Sequence, residues 1–149
     1  MSKRRKQHTI ETGVWPPARE GHKRAVIESP DGGQLWAYAE VLREAGYDVA
    51  TCKGEHPEGE DRCPLIETGH CKLVEGADVV ISTCSVHRSD ELLAILSSKG
   101  STPVVFEAPA PDFERYANVS ENVTLIPTPV TEQALLEAVE QARSQAAAS

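Results

Sequence analysis

Five residues carrying hydroxyl, thiol or imidazole groups fall in one short stretch: Ser82, Thr83, Cys84, Ser85 and His87. Just upstream, between positions 52 and 71, lie Cys52, His56, Cys63, His70 and Cys71. Thiolates and imidazoles are the usual ligands of zinc, and thiolates hold iron–sulfur clusters. The four cysteines are separated by 10, 7 and 12 residues, with no Cys-x-x-Cys, a poor match to metal-binding spacings. The expectation is therefore no cofactor, with zinc or an iron–sulfur cluster held by Cys52, Cys63, Cys71, Cys84, His70 and His87 as the alternative. A thiol pair such as Cys63 with Cys71 would give redox sensing instead, and a buried thiol serves as a small apolar side chain. Glu28, Glu107 and His87 offer acid–base groups for a small enzyme or nucleotide binder. However, Pro30-Asp31-Gly32-Gly33 is neither a Gly-x-Gly-x-x-Gly turn nor a P-loop.

These residues need a scaffold to bring them together. Val79–Ile81 is a β-branched apolar run without polar alternation, the pattern of a strand buried on both faces of a parallel sheet. Its polar residues come together at its carboxyl end, the side on which open α/β sheets bind ligands. Similar runs at Ala25–Ile27, Tyr47–Thr51, Pro103–Phe106 and Val123–Ile126 predict four more strands. Leu35, Ala39 and Leu42 mark one amphipathic helix over 34–45, with Gly46 as its left-handed cap. Leu92, Leu93, Ile95 and Leu96 mark a second helix, over 90–98. Leu135, Ala138, Val139 and Ala142 mark a third, capped by Thr131 and running to about Gln145. One or two helical turns are expected over 111–116. Residues 53–75 hold three glycines, two prolines and two cysteines, so an extended loop is expected there, with at most a short helix near 69–74.

Alternating strands and helices predict an α/β domain: three layers, a doubly wound five-stranded parallel sheet, order 2-1-3-4-5. In that order the second and third strands flank the first, so Cys52 and Cys84 stand roughly 9–10 Å apart at about 4.8 Å per strand. The domain is expected over 24–146, preceded by a flexible basic arm over 1–23 in which Trp15 is the anchor.

The net charge is −8. Lys3, Arg4, Arg5 and Lys6 hold four of the 15 basic residues, leaving a body far more acidic than the total implies. Such a body repels phosphate backbones, so the folded domain is not expected to bind nucleic acid. No apolar run is long enough for a membrane span and no signal segment is evident, so a cytoplasmic protein is expected.

Arg24 to Arg143 resembles the receiver domain of bacterial response regulators. Three segments carry the likeness: Leu35–Val49 reads like that family's first helix and second strand, Ala77–Ile81 like its third strand, and Ile126–Val139 like its fifth strand and last helix. The resemblance implies a two-component signalling module. It also implies a phosphorylated Asp after the third strand, but Thr83 stands at that position. The paired metal-binding acids fall on Glu28 and Ser29, the phosphate-sensing hydroxyl on Ala108, and the Lys before proline on Thr128. A hydroxyl cannot form an acyl phosphate, so the expected protein is a pseudo-receiver. It would act without phosphorylation or catalysis by engaging a protein partner, for instance a signalling protein, with a homodimer compatible. The resemblance also implies a cis Thr128–Pro129 bond. A cysteine-based metal or redox sensor ranks second, and an enzyme or nucleotide binder third.

Overall fold

The computed structural model describes residues 9–10, 15–29, 31–52, 63–83, 89–99, 102–116, 121–128 and 130–148. Its strands are β1 (Thr9–Ile10), β2 (Lys23–Glu28), β3 (Tyr47–Cys52), β4 (Val79–Thr83), β5 (Val104–Pro109) and β6 (Val123–Thr128). The helices are α1 (Gly32–Glu44), α2 (Pro64–Thr68), α3 (Lys72–Glu75), α4 (Ser89–Lys99), α5 (Phe113–Tyr116) and α6 (Glu132–Ala148), with a 3₁₀ turn at Ala110–Asp112. All strand pairs are parallel, in the order β1-β3-β2-β4-β5-β6. The five expected strands thus stand in their expected order.

Side chains alternate across a strand, and the alternation sorts the core into two layers. Ala25, Ile27, Val79, Ile81 and Val105 face Leu35, Ala39 and Leu42 of α1 and Leu135, Ala138 and Val139 of α6. Val26, Val80, Val104, Phe106 and Ala108 face Leu65, Leu73 and Val74 of α2 and α3, the α4 leucines and Tyr116. Full burial of each large aliphatic side chain contributes about 1.5–3 kcal/mol, so the two layers carry the fold.

The caps set the helix limits. Asp31 Oδ1 accepts hydrogen bonds from Gly33 N (2.9 Å) and Gln34 N (3.2 Å), which starts α1 at Gly32, two residues before the apolar stripe predicts. Gly46 ends it at φ +96°. Thr131 Oγ1 accepts from Ala134 N at 3.1 Å at the start of α6, which runs three residues past its expected end through alanines that favour helix.

Three expectations need correction. Of the expected loop over 53–75, residues 53–62 lie outside the described residues; the rest holds α3 where a short helix is expected and, before it, a second helix, α2, separated from it by Gly69 at φ +81°. Leu65 of α2 is buried in the core, and this fixes a helix that the prolines and glycines hid. The fourth predicted strand does not stop at Glu107 but runs through it to Pro109, because β6 continues beside it to Thr128.

Third, residues 9–10 and 15–22 of the expected arm lie against the domain. Thr9 and Ile10 pair with Val49 and Ala50, adding a sixth strand at the sheet edge. Trp15 Nε1 donates to Leu73 O at 2.8 Å, and its ring lies 5.1 Å from the Arg24 guanidinium carbon. Arg24 also donates to Pro16 O, at 2.6 Å. Arg19 grips the Asp48 carboxylate, and His22 Nδ1 stands 3.3 Å from its Oδ1.

Candidate functional site

The site lies at the carboxyl edge of the sheet. The register sets Glu28 opposite Ser82, Thr83 opposite Glu107, and Pro109 opposite Thr128. Alternation then divides the edge into two groups. Glu28, Ser82 and Ala108 follow Val26, Val80 and Phe106 onto the face covered by α2–α5. Ser29, Thr83 and Glu107 follow Ile27, Ile81 and Val105 onto the face covered by α1 and α6.

On the first face Glu28 is 7% exposed, and Ser82 Oγ donates to its Oε1 at 2.8 Å. Burial pushes the Glu28 carboxyl up to about 7, against the opposing pull of the Ser82 hydroxyl and the Thr83 amide. Ala108 is fully buried among apolar neighbours. Buried Cys63 lies within electrostatic reach of Cys71 and Glu28, and burial pushes its thiol up.

On the second face is a cleft of about 240 Å³. Ser29, Gln34, Thr83, Glu107 and Thr128 line it, with Asp31 and Pro109. Glu107 is only 3% exposed. Its Oε1 accepts from the Tyr38 hydroxyl and from Gln34 Nε2 (3.4 Å), and its Oε2 accepts from Thr128 Oγ1 (2.9 Å). Gln34 Nε2 also donates to Tyr38 OH at 3.2 Å, while its Oε1 accepts from Ser29 Oγ at 2.5 Å. Ser29 Oγ in turn accepts from Asp31 N at 3.1 Å. Burial, and then the Glu107 carboxyl, push the Tyr38 phenol above its ordinary range. Thr83 Oγ1 turns back to Glu28 O at 3.4 Å. The network ties α1 to the ends of β5 and β6 through neutral donors, and among the described residues no Lys, Arg or His lines the cleft.

Of the positions set out by the receiver resemblance, the structure brings Ser29, Thr83 and Thr128 into one cleft. It puts Glu28 and Ala108 on the opposite face. The cleft-facing residue near the end of β5 is Glu107, next to the position that the resemblance marks. Period-two alternation from Val105 identifies it, because Val105 and Glu107 share a face. Tyr38 and Gln34 follow by helical spacing, i and i+4 on the flank of the buried stripe.

Of the described thiols, Cys63 and Cys71, the pair that the sequence singles out, lie within electrostatic reach of each other. Cys52 ends β3 half-buried, Cys63 precedes α2, and Cys71 precedes α3, packed against the second core layer. His70 is exposed, with Nδ1 at 3.1 Å from Glu75 Oε2. No three His, Cys, Asp or Glu side chains converge as a metal site among the described residues. Cys84, His87, His56 and Pro129, with the expected cis bond, lie outside those residues.

No family model and no curated protein matches this chain. Its shape is similar to a CheY-like response regulator receiver domain protein from Methanospirillum hungatei JF-1, at a TM-score of 0.64 and 18% identity over 86% of this chain and 98% of that one. A response regulator receiver domain protein from Clostridium thermocellum gives 0.62 and 17%, over 83% and 95%. The receiver domain of the hybrid histidine kinase CckA gives 0.55 and 23%, over 80% and 98%. At these identities the likeness is one of architecture, and the chain has the flavodoxin-like α/β fold that response regulator receivers share.

Proposed function

We propose that this chain is a phosphorylation-independent signalling module, a receiver-like domain that works by holding a protein partner. The observation that carries the reading is the content of the carboxyl-edge cleft. Thr83 stands where an acyl phosphate would need a carboxylate. The neighbouring corner holds the Glu107 carboxyl and the Thr128 hydroxyl, with no cationic side chain lining the cleft among the described residues. A phosphoryl group carries negative charge and is stabilised by cations and oriented donors. Here it would face two carboxyl groups, those of Asp31 and Glu107. The receiver fold of the structural neighbours supports a signalling role. Among the described residues no helix is long and apolar enough to cross a membrane.

The test is intact-mass measurement of the full chain after incubation with acetyl phosphate and Mg²⁺, with beryllofluoride in a parallel sample. The expected result is an unchanged mass and no ordering of the cleft by beryllofluoride. A stoichiometric phosphoryl adduct would overturn the proposal.

A further inference from the structure

We propose that Cys63 and Cys71 are a redox site, a thiol pair in the α2–α3 turn that hydrogen peroxide closes into a disulfide and a dithiol reopens. Both residues stand in extended backbone just before a short helix, at φ −78°, ψ 113° for Cys63 and φ −144°, ψ 119° for Cys71. A leucine follows each by two positions, and both leucines, Leu65 and Leu73, are buried in the second core layer. The same layer takes both thiols: Cys63 lies within it and Cys71 packs against it. Between them the chain folds back tightly. Gly69, at φ +81°, donates its N–H to Leu65 O at 2.9 Å. Thr68 Oγ1 donates to Pro64 O at 2.7 Å and accepts from His70 N at 3.2 Å. The turn thus sets both sulfurs on one apolar surface, within electrostatic reach of each other.

The two thiols differ in access: Cys63 is 8% exposed, while Cys71 is half-buried. An oxidant reaches the more open sulfur first. Cys71 Sγ attacks one peroxide oxygen. The S–O bond forms as the O–O bond breaks, and the departing hydroxide leaves as water with the thiol proton. Cys63 Sγ then attacks the sulfenic sulfur of Cys71. The S–S bond forms as the S–O bond breaks, and the Cys63 proton leaves in a second water. Two thiols are oxidised and one peroxide is reduced to two waters. Burial also holds the Cys63 sulfur in its thiol form, so it follows and does not lead. The bridge fastens α2 to α3, the helix whose Leu73 carbonyl seats the Trp15 indole.

Trypsin cuts after Arg62 and Lys72, so both thiols fall in one peptide, residues 63–72. The full chain is treated with stoichiometric hydrogen peroxide, blocked with iodoacetamide, digested and weighed. The expected result is a 63–72 peptide two hydrogens lighter than the dithiol, restored by dithiothreitol. In urea the same dose should spread bridges over all four cysteines, because their spacings are comparable and loop closure alone hardly selects a pair. Dimedone present during oxidation should tag Cys71 and not Cys63. In Cys63→Ser the Cys71 sulfenic acid should accumulate as the dimedone adduct, and in Cys71→Ser the Cys63 thiol should survive the same dose. If Cys63→Ser fails to fold, the dimedone result on the unaltered chain decides. Two intact thiols after peroxide, a bridge to Cys52 or Cys84, equal selectivity in urea, or dimedone on Cys63 would each overturn the inference. None of these results alters the mass found with acetyl phosphate, so the redox pair and the phosphorylation-independent reading fail separately.

Discussion

Glu28 and Asp48 are both buried carboxyls, and their surroundings drive them in opposite directions. At Glu28 burial outweighs the hydrogen bonds from Ser82 and Thr83 and raises the carboxyl from 4.5 to about 7. Its folded form holds the proton more tightly than the unfolded chain does. Its contribution to stability is therefore full below 4.5 and is lost as pH rises through 7. Glu28→Gln keeps an acceptor for Ser82 and removes the ionisation. Denaturant unfolding should show the variant gaining up to roughly 3 kcal/mol over wild type at pH 8, at about 1.4 kcal/mol per pH unit, and little at pH 4. An equal gain at both pH values would refute this account. At Asp48, burial pushes upward but Arg19 and His22 together outweigh it, so the carboxyl lies below its ordinary value. Stability from this group is present above its unfolded value of 3.8 and is lost on acidification. Asp48→Asn should therefore weaken the protein at neutral pH and have little effect at low pH, the opposite profile.

At the scale of elements, two glycines make a controlled comparison. Gly46 ends α1 at φ +96° with open space around an added methyl, so Gly46→Ala meets only backbone strain, about 1–2 kcal/mol. Gly76 has no such dihedral, but a Cβ there would stand 2.9 Å from Trp15 Cδ1. Gly76→Ala should cost a similar amount by pushing the indole from its seat. Amide exchange separates the two: the Trp15–His22 segment should lose protection in Gly76→Ala alone. The long elements were legible in the sequence because burial on one or both faces writes a period into them. α3 was legible as the short helix expected near 69–74, but α2 and β1 were not, since pieces of five and two residues carry too few positions to show a period. Their places come from distant contacts such as Leu65 with the core. The cleft was partly legible. Thr83 and Thr128 follow from the strand ends and Glu107 stands out as an acid–base group, but its place inside the strand does not follow, because a buried acid there makes sense only once Tyr38 and Thr128 are seen to reach it.

For the molecule as a whole, the arm closes an edge. β3 carries a row of backbone groups that β1 covers at Val49 and Ala50, while Arg19 and His22 hold Asp48. A chain starting at Glu20 would lose β1, the Trp15 seat and Arg19 together. It is expected to melt roughly 4–8 °C lower, as about 2 kcal/mol gives for a chain of this size. It should also associate with rising concentration through the bared strand. Thermal melts and light scattering read both effects, and an unchanged Tm with a monodisperse monomer would contradict this role for the arm.

The seat of Trp15 has an optical consequence. The other indole, Trp36, is 62% exposed on α1, whereas Trp15 is half-buried and hydrogen-bonded to a backbone carbonyl at the opposite, amino end of the sheet. The native protein thus carries two indoles in contrasting surroundings. A neutral quencher such as acrylamide should extinguish the red-shifted emission of Trp36 first. In the folded protein the blue-shifted remainder then reports on the lifting of the arm.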